Sequence, residues 1–414
     1  MLPELRTEVP GPRSRQLAGR LRACESRNVT MVTEGWPIFW ERAEGVNVWD
    51  ADGNRFLDFT SGFGVAGLGH SAAPVRAALT DQAARLLHAM GDVHPAESKV
   101  ALCEMLGEMT YGHWGGGRGK VILGNSGSDA IEAALKTAVL HSGKPGVLVF
   151  EGAYHGLGYG ALEASALGFF RSPFASQLGR FAVAVPYPYC YRCPFGHGGG
   201  FALEGGEFPN CSSACLGDLR QRIVAELRRR EIGAILVEPV QGRGGEVVPP
   251  RDFLRLLRRI CDEEKILLIA DEIYTGFNRT GRLFACDHSG VVPDIVCLGK
   301  ALTSGFPLSA CVGRADVKDA WPESTRGRNR PARRCTPARF SAIRSVAPWR
   351  WPRCANTPSR RRRKKSAPPD ATSAKLAAKS ARRRSATSAA PVCCSGSNWS
   401  KRTAPPTRKP PRIA

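Results

Sequence analysis

The chain has 414 residues, 43% of them hydrophobic, enough for two or three domains with sizeable cores. Its formal charge of +22 has the size expected of a nucleic-acid binder. The distribution excludes that reading for most of the chain: 25 basic residues and one acid, Asp370, lie from Arg326 onward, whereas the first 325 residues hold 34 basic and 36 acidic groups.

No apolar run has the length of a membrane helix. The arginines Arg13, Arg15, Arg20 and Arg22 are not followed by the apolar core of a signal peptide. Cysteines such as Cys297 in DIVCLG and Cys311 in LSACVG sit singly inside apolar runs and read as buried, reduced thiols. A cytoplasmic protein without a membrane partner is expected.

Residues 36–59 alternate apolar and polar around Asp52-Gly53-Asn54, a hairpin signature. Helical patterns follow at about Ala73–His88 and Ala96–Glu108. Short apolar runs then recur at Val121–Leu123, Val147–Phe150, Phe181–Val185, Ala234–Val237, Ile266–Ala270, Asp294–Leu298 and Leu308–Val312. Amphipathic helices separate several of them, among them Asp218–Arg230 and Asp252–Glu264. Seven strands joined by crossovers predict an α/β fold, a mostly parallel sheet covered by helices on both faces. Ligands of such sheets bind at the carboxyl ends of the strands, so the polar residues closing each run should share one cleft. After about Thr325 the rhythm stops. The stretch SRRRRKKSAPPDATSAKLAAKSARRRSATSAAP has almost no large apolar residues, cannot offset its ordering entropy, and is expected to be disordered. Its Arg/Lys runs could meet phosphates, but without aromatic interleaving or a base-reading motif no specific nucleic-acid recognition is expected.

Four strand ends carry chemistry. Leu123-Gly124-Asn125-Ser126-Gly127-Ser128-Asp129 leads into a helix, and small residues at a helix start form a phosphate cradle or an ordinary N-cap. In Phe150–Gly156, Tyr154 beside His155 could lie flat on a planar cofactor, or simply pack in a Gly-rich loop. Asp271 follows a run of buried apolar residues, where an unpaired carboxylate is costly. A protonated pyridine nitrogen would satisfy it and remain an electron sink; a turn-capping Asp is the alternative. Lys300 follows the buried run IVCLG, where a lysine either snorkels to solvent or is functional; a lysine in an apolar site with lowered proton affinity is the usual carrier of a carbonyl cofactor. In this order on one sheet, the four are the parts of a pyridoxal-phosphate site.

GNSGSDAIEAALKTA, EGAYHG, VEPVQGRGG, ADEIYTGFNRTG and CLGKALTSGFPLSA resemble successive motifs of the class III aminotransferases, and GVNVWDADGNRFLDFTSGFGVAGLGH resembles that family's opening. The resemblance covers about residues 28–320. It implies a fold-type-I homodimer with pyridoxal 5'-phosphate as cofactor. Residues 1–62 would contribute to a small α/β domain, 63–318 would form the large cofactor domain, and 319–414 would be an aberrant tail replacing the rest of the small domain. Carried over by position, Ser126, Gly127 and Ser128 would hold the phosphate, Tyr154 would stack on the ring with His155 beside it, and Asp271 would pair with the ring nitrogen. Lys300 would carry the cofactor and shuttle the proton. Tyr274 stands where a glutamine often occurs, and its hydroxyl would be offered to the ring oxygen. Glu238 resembles the cleft glutamate that positions substrate, and Arg171 lies where a carboxylate-binding arginine could sit. The implied reaction moves an amino group from a primary amine or ω-amino acid to a 2-oxo acid. An epimerase or aminomutase on the same scaffold, a pseudoenzyme and a basic-tailed binding protein are the alternatives. Cys190, Cys193, Cys211 and Cys215 have metal-like spacing. Their Gly-rich surroundings favour a surface insertion without metal; zinc or the iron–sulfur pair of some relatives is the alternative.

The family's chain continues with a segment like Thr-Phe-x-Gly-x-Pro-x-x-Cys-Ala, whose threonine reaches the partner subunit's phosphate, and nothing like it occurs in frame. In the neighbouring frame, the third base of each codon of Cys335–Trp351 with the first two of the next permits His-Thr-Ser-Thr-Phe-Leu-Gly-His-Pro-Val-Gly-Cys-Ala-Met-Ala-Leu. A frameshift upstream of Cys335 would explain the charge split and the lost periodicity together. It would leave this product incomplete.

Overall fold

Apolar runs closed by polar turns do become the strands of one sheet. The computed structural model describes residues 2–197 and 211–322, the side chains of 211–213 excepted. All of these belong to one unit, Met1–Ala347; a second, Pro348–Ala414, lies outside the described residues, and so does the expectation of a disordered tail.

Strands β1 (Trp40–Glu44), β2 (Asn47–Asp50) and β3 (Arg55–Leu57) form an antiparallel meander. The expected turn at Asp52-Gly53-Asn54 joins β2 to β3, and a second turn at Gly45 adds a strand to the predicted hairpin. Asn54 and Asp52 tie the N-terminus to this meander. Asn54 Oδ1 accepts from the Arg6 and Thr7 N–H groups, and the Asp52 carboxylate accepts from the N–H groups of Arg13 and Ser14, at the start of the helix Pro12–Cys24.

The main sheet has seven strands: β4 (Lys120–Gly124), β5 (Gly146–Phe150), β6 (Ala182–Val185), β7 (Ile232–Val237), β8 (Leu267–Asp271), β9 (Ile295–Leu298) and β10 (Ser309–Gly313). Their order is β4-β10-β9-β8-β7-β5-β6. The run β6-β5-β7-β8-β9 is parallel, and β10 is antiparallel to both β9 and β4. Two reversals restore direction, so β4 points the same way as β9. The carboxyl ends of β4, β5, β7, β8 and β9 therefore lie on one edge, as the expected mostly parallel α/β fold requires.

Successive side chains of a strand face opposite sides, and here both sides are apolar. Leu148, Phe150, Ile235, Val237, Leu268 and Ala270 pack with the helices Cys211–Arg229 and Phe253–Glu264. Val147, Val149, Ala234, Leu236, Leu267 and Ile269 pack against the helix Gly127–Ser142. Beyond the N-terminal end of β5 an apolar groove of about 390 Å³ opens, lined by Leu135, Val139, Phe181 and Trp321. No helix of the described residues is long and apolar enough to cross a membrane.

Candidate active site

The first strand end runs from β4 into the helix Gly127–Ser142. Ser126 caps that helix: its Oγ accepts from the Asp129 N–H, and the Asp129 carboxylate accepts from the Asn125 and Ser126 N–H groups, at 3.0 Å each. This capping box leaves the N–H groups of Gly127 and Ser128 without an acceptor among the described residues. The expected N-cap and the expected anion cradle are thus one structure, a fixed turn with two donors aimed outward. Ser128 Oγ accepts from the Gly158 N–H at 2.9 Å, which ties the cradle to the loop after β5.

That loop carries Tyr154 and His155. The Tyr154 N–H donates to Glu238 Oε1 at 2.9 Å, and the Gly242 N–H donates to Glu238 Oε2 at 3.0 Å. Glu238, at the end of β7, is almost fully buried and its two oxygens bridge two loops; burial pushes its carboxyl above the usual range. His155 is buried, with Nδ1 2.7 Å from Asp271 Oδ2. Asp271 Oδ1 accepts from the Ile273 N–H at 3.1 Å. The buried carboxylate therefore has partners of its own, and what remains open at the site is His155 Nε2, buried without a hydrogen bond among the described residues.

Asp271 is paired in register with Cys297 on β9, three residues before Lys300. Lys300 is half-buried. Its proton affinity is lowered, first by burial and further by the charge of Arg243; Asp271 and Glu238 oppose the shift. Its Nζ lies 5.0 Å from the centroid of the Tyr274 ring. The Tyr274 hydroxyl donates to Glu246 at 2.8 Å, so that hydroxyl is directed to the rim.

The structure brings Ser126, Gly127, Ser128, Tyr154, His155, Glu238, Asp271, Tyr274 and Lys300 to one sheet edge. Arg171 is held elsewhere: its guanidinium pairs at 3.0 Å with Glu163, whose side chain is fully buried. Three residues join the site that the sequence reading did not single out. Ile273 fills the gap between the cradle and the lysine turn, its Cδ1 2.9 Å from where a Gly127 Cβ would stand and its Cγ2 3.2 Å from a Gly299 Cβ. Gly64 lies against the Tyr274 ring, 3.0 Å from where a Cβ would stand. Arg243 lies over the rings of Tyr154, at 4.8 Å, and Phe170, at 5.4 Å. Among the described residues no group of three or more His, Cys, Asp or Glu could hold a metal; the side chain of Cys211 is outside that set.

The sequence model of the family described as Aminotransferase class-III matches residues 30–329. A 4-aminobutyrate aminotransferase of Mycobacterium leprae (strain TN) is 36% identical over 317 residues, which cover 77% of this chain and 68% of that protein. A leucine/methionine racemase of Thermococcus litoralis is 35% identical over 286 residues, covering 69% of this chain and 61% of that protein. An amine transaminase from an uncultivated Pseudomonas species, solved with pyridoxal phosphate bound, superposes with a TM-score of 0.62 at 32% identity, covering 71% of this chain and 66% of that one.

Proposed function

The chain belongs to the class III aminotransferases, pyridoxal-phosphate enzymes of fold type I, and on that premise we propose that it moves an amino group from an ω-amino acid or primary amine to a 2-oxo acid. The observation that carries the reading is Lys300, a half-buried amine with lowered proton affinity, one strand away from the buried Asp271–His155 pair.

The residues present fit the cofactor. The unpaired N–H groups of Gly127 and Ser128, at the positive end of a 16-residue helix, suit a phosphate. Tyr154 would cover one face of the ring and Ile273 the other. Asp271, anchored by His155 and the Ile273 N–H, would face the ring nitrogen and hold a proton there. When bound, the cofactor supplies an electron sink for the carbon that bears the amine. Lys300 would carry the cofactor, and its amine would move the proton at that carbon. Its lowered proton affinity favours the neutral amine, the form able to accept one. Glu238 acts by positioning, since both its oxygens are taken by the Tyr154 and Gly242 N–H groups. The open hydrogen-bond capacity of Lys300 and the Gly127–Ser128 turn favours this over a pseudoenzyme.

We propose further that the intact protein is a cytoplasmic homodimer, and that translation leaves frame upstream of Cys335. The family match ends at residue 329, close to where the charge changes character. Cys261, Cys286, Cys297 and Cys311 are buried thiols, which supports a reducing compartment. The helix Ala73–Arg85 has no buried residue, and Leu79, Leu87, Met90, Val93 and Met105 are exposed, apolar surface that a second copy would cover. The reaction reading is tested by borohydride, which fixes the cofactor onto the lysine that carries it. Peptide mapping should find the added mass on Lys300, and Lys300→Ala should abolish labelling. A label on another lysine overturns the assignment.

A further inference from the structure

Two arginines of this cleft have no ion pair among the described residues: Arg279, beside Gly64 and Tyr274, and Arg243, which lies over Tyr154 and Phe170. Arg243 sits at the tip of a tightly held turn. Gln241 and Val247 exchange backbone hydrogen bonds at 3.1 and 3.0 Å, and the N–H groups of Gly245 and Glu246 both return to the Gly242 carbonyl. The buried Glu238 carboxylate anchors the turn through Gly242. The turn fixes the backbone from which the exposed Arg243 side chain projects.

Its guanidinium lies over Tyr154 and Phe170. Stacked aromatic faces orient a guanidinium plane while leaving its five N–H donors at the edges. Among the described residues the guanidinium has ring contacts with Tyr154 and Phe170 and no hydrogen bond or ion pair. Glu238 and Asp271 are spent on backbone and imidazole groups, and Glu246 accepts from Tyr274. The other arginine near Phe170, Arg171, is bound to Glu163. Gly242, the neighbour of Arg243, lies against the Tyr274 ring, 3.2 Å from where a Cβ would stand, and Lys300 Nζ is 5.0 Å from the centroid of the same ring, so both cations border one cleft.

We propose that Arg243 forms the anion subsite of this cleft and receives the carboxylate that an amino donor bears at the end remote from its amine. This rests on the aminotransferase reading above and names its substrate class. An amine delivered to Lys300 and a carboxylate delivered to Arg243 define an amino acid whose two groups are separated by a chain. A planar guanidinium meets a carboxylate with two parallel hydrogen bonds, which fixes orientation as well as affinity.

The test measures binding of butyrate, a carboxylate with no amine to react, to the cofactor-loaded full chain by titration calorimetry. Parent, Arg243→Gln and Arg243→Lys are compared. The dissociation constant should rise roughly ten- to a hundredfold in Arg243→Gln, the range for losing hydrogen bonds to a charged group, and less in Arg243→Lys, which keeps a point charge. In turnover, KM for 4-aminobutyrate should rise in Arg243→Gln while KM for n-butylamine stays unchanged. Butyrate affinity equal in parent and Arg243→Gln, no saturable butyrate binding by the parent, or an equal loss with both donors would overturn the proposal. A parent that binds butyrate through Arg243 yet transaminates neither donor, with the frame-restored protein equally inert, would count against the reaction reading alone.

Discussion

Burial lowers the proton affinity of Lys300 from the ordinary 10.5, so the folded protein without its cofactor holds an amine in a place that disfavours its charge. An amine whose folded value lies below its unfolded value opposes folding at every pH below the folded value, and the opposition fades as pH rises to the unfolded one. Lys300→Met, stripped of cofactor, should therefore melt at a higher temperature than the stripped parent near neutral pH, with the gap narrowing towards pH 10.5. Thermal melts across that range check it; a variant that melts below the parent would show that the site does not strain the lysine. The sequence made Lys300 and Asp271 legible because each directly follows a buried run, where polar groups are expensive. It could not reveal how Glu238 spends its oxygens, on N–H groups 84 residues before and four after, or that Arg171 is committed to Glu163. Those partners depend on where loops close, and no local spacing encodes that.

The cradle works as an element rather than as single residues. The capping box holds Asp129, the helix start and Ser126, and Ser128 holds the loop after β5 through the Gly158 N–H. Gly156 makes that loop possible: its φ is +128°, and a Cβ there would stand 2.7 Å from Ser128 Cβ and 3.0 Å from Ser128 Cα. Gly156→Ala would pay about 1–3 kcal/mol in backbone strain and push directly on the cradle. The expected outcome is a weakening of pyridoxal-phosphate affinity by about tenfold or more, from the strain alone, read by fluorescence titration. Gly168→Ala, with only an ordinary 3.7 Å contact to Ser172, should bind as the parent does. Equal affinities in the two variants would deny the loop its role. The strands of the main sheet were legible as short continuous apolar runs, because a sheet covered on both faces buries successive side chains alike. The segment around Gly64 was not, since its approach to Tyr274 joins positions some two hundred residues apart.

At the scale of the molecule, an enzyme-like half meets a chain end of different character. The described residues assemble the cleft, yet the helix Ala73–Arg85 lies on the surface with no residue buried. That exposed helix fits a protein that pairs with a second copy. A single-base shift upstream of Cys335 would account for the change of character while sparing the cleft residues of this chain, all of which precede it, and would remove the threonine directed at the partner's phosphate. Sequencing the gene across codons 318–335 should find the inserted or missing base, and restoring the frame should return the threonine-bearing segment that the family resemblance places on the partner's phosphate. The restored protein is expected to be a dimer by light scattering and to exceed the 414-residue product in kcat/KM by on the order of a hundredfold, the usual effect of returning one donor to a charged site. The same measurement carries its refutation: if the two products match in oligomeric state and in transamination across a panel of ω-amino acids, the basic extension is a genuine part of the protein and the frame is intact.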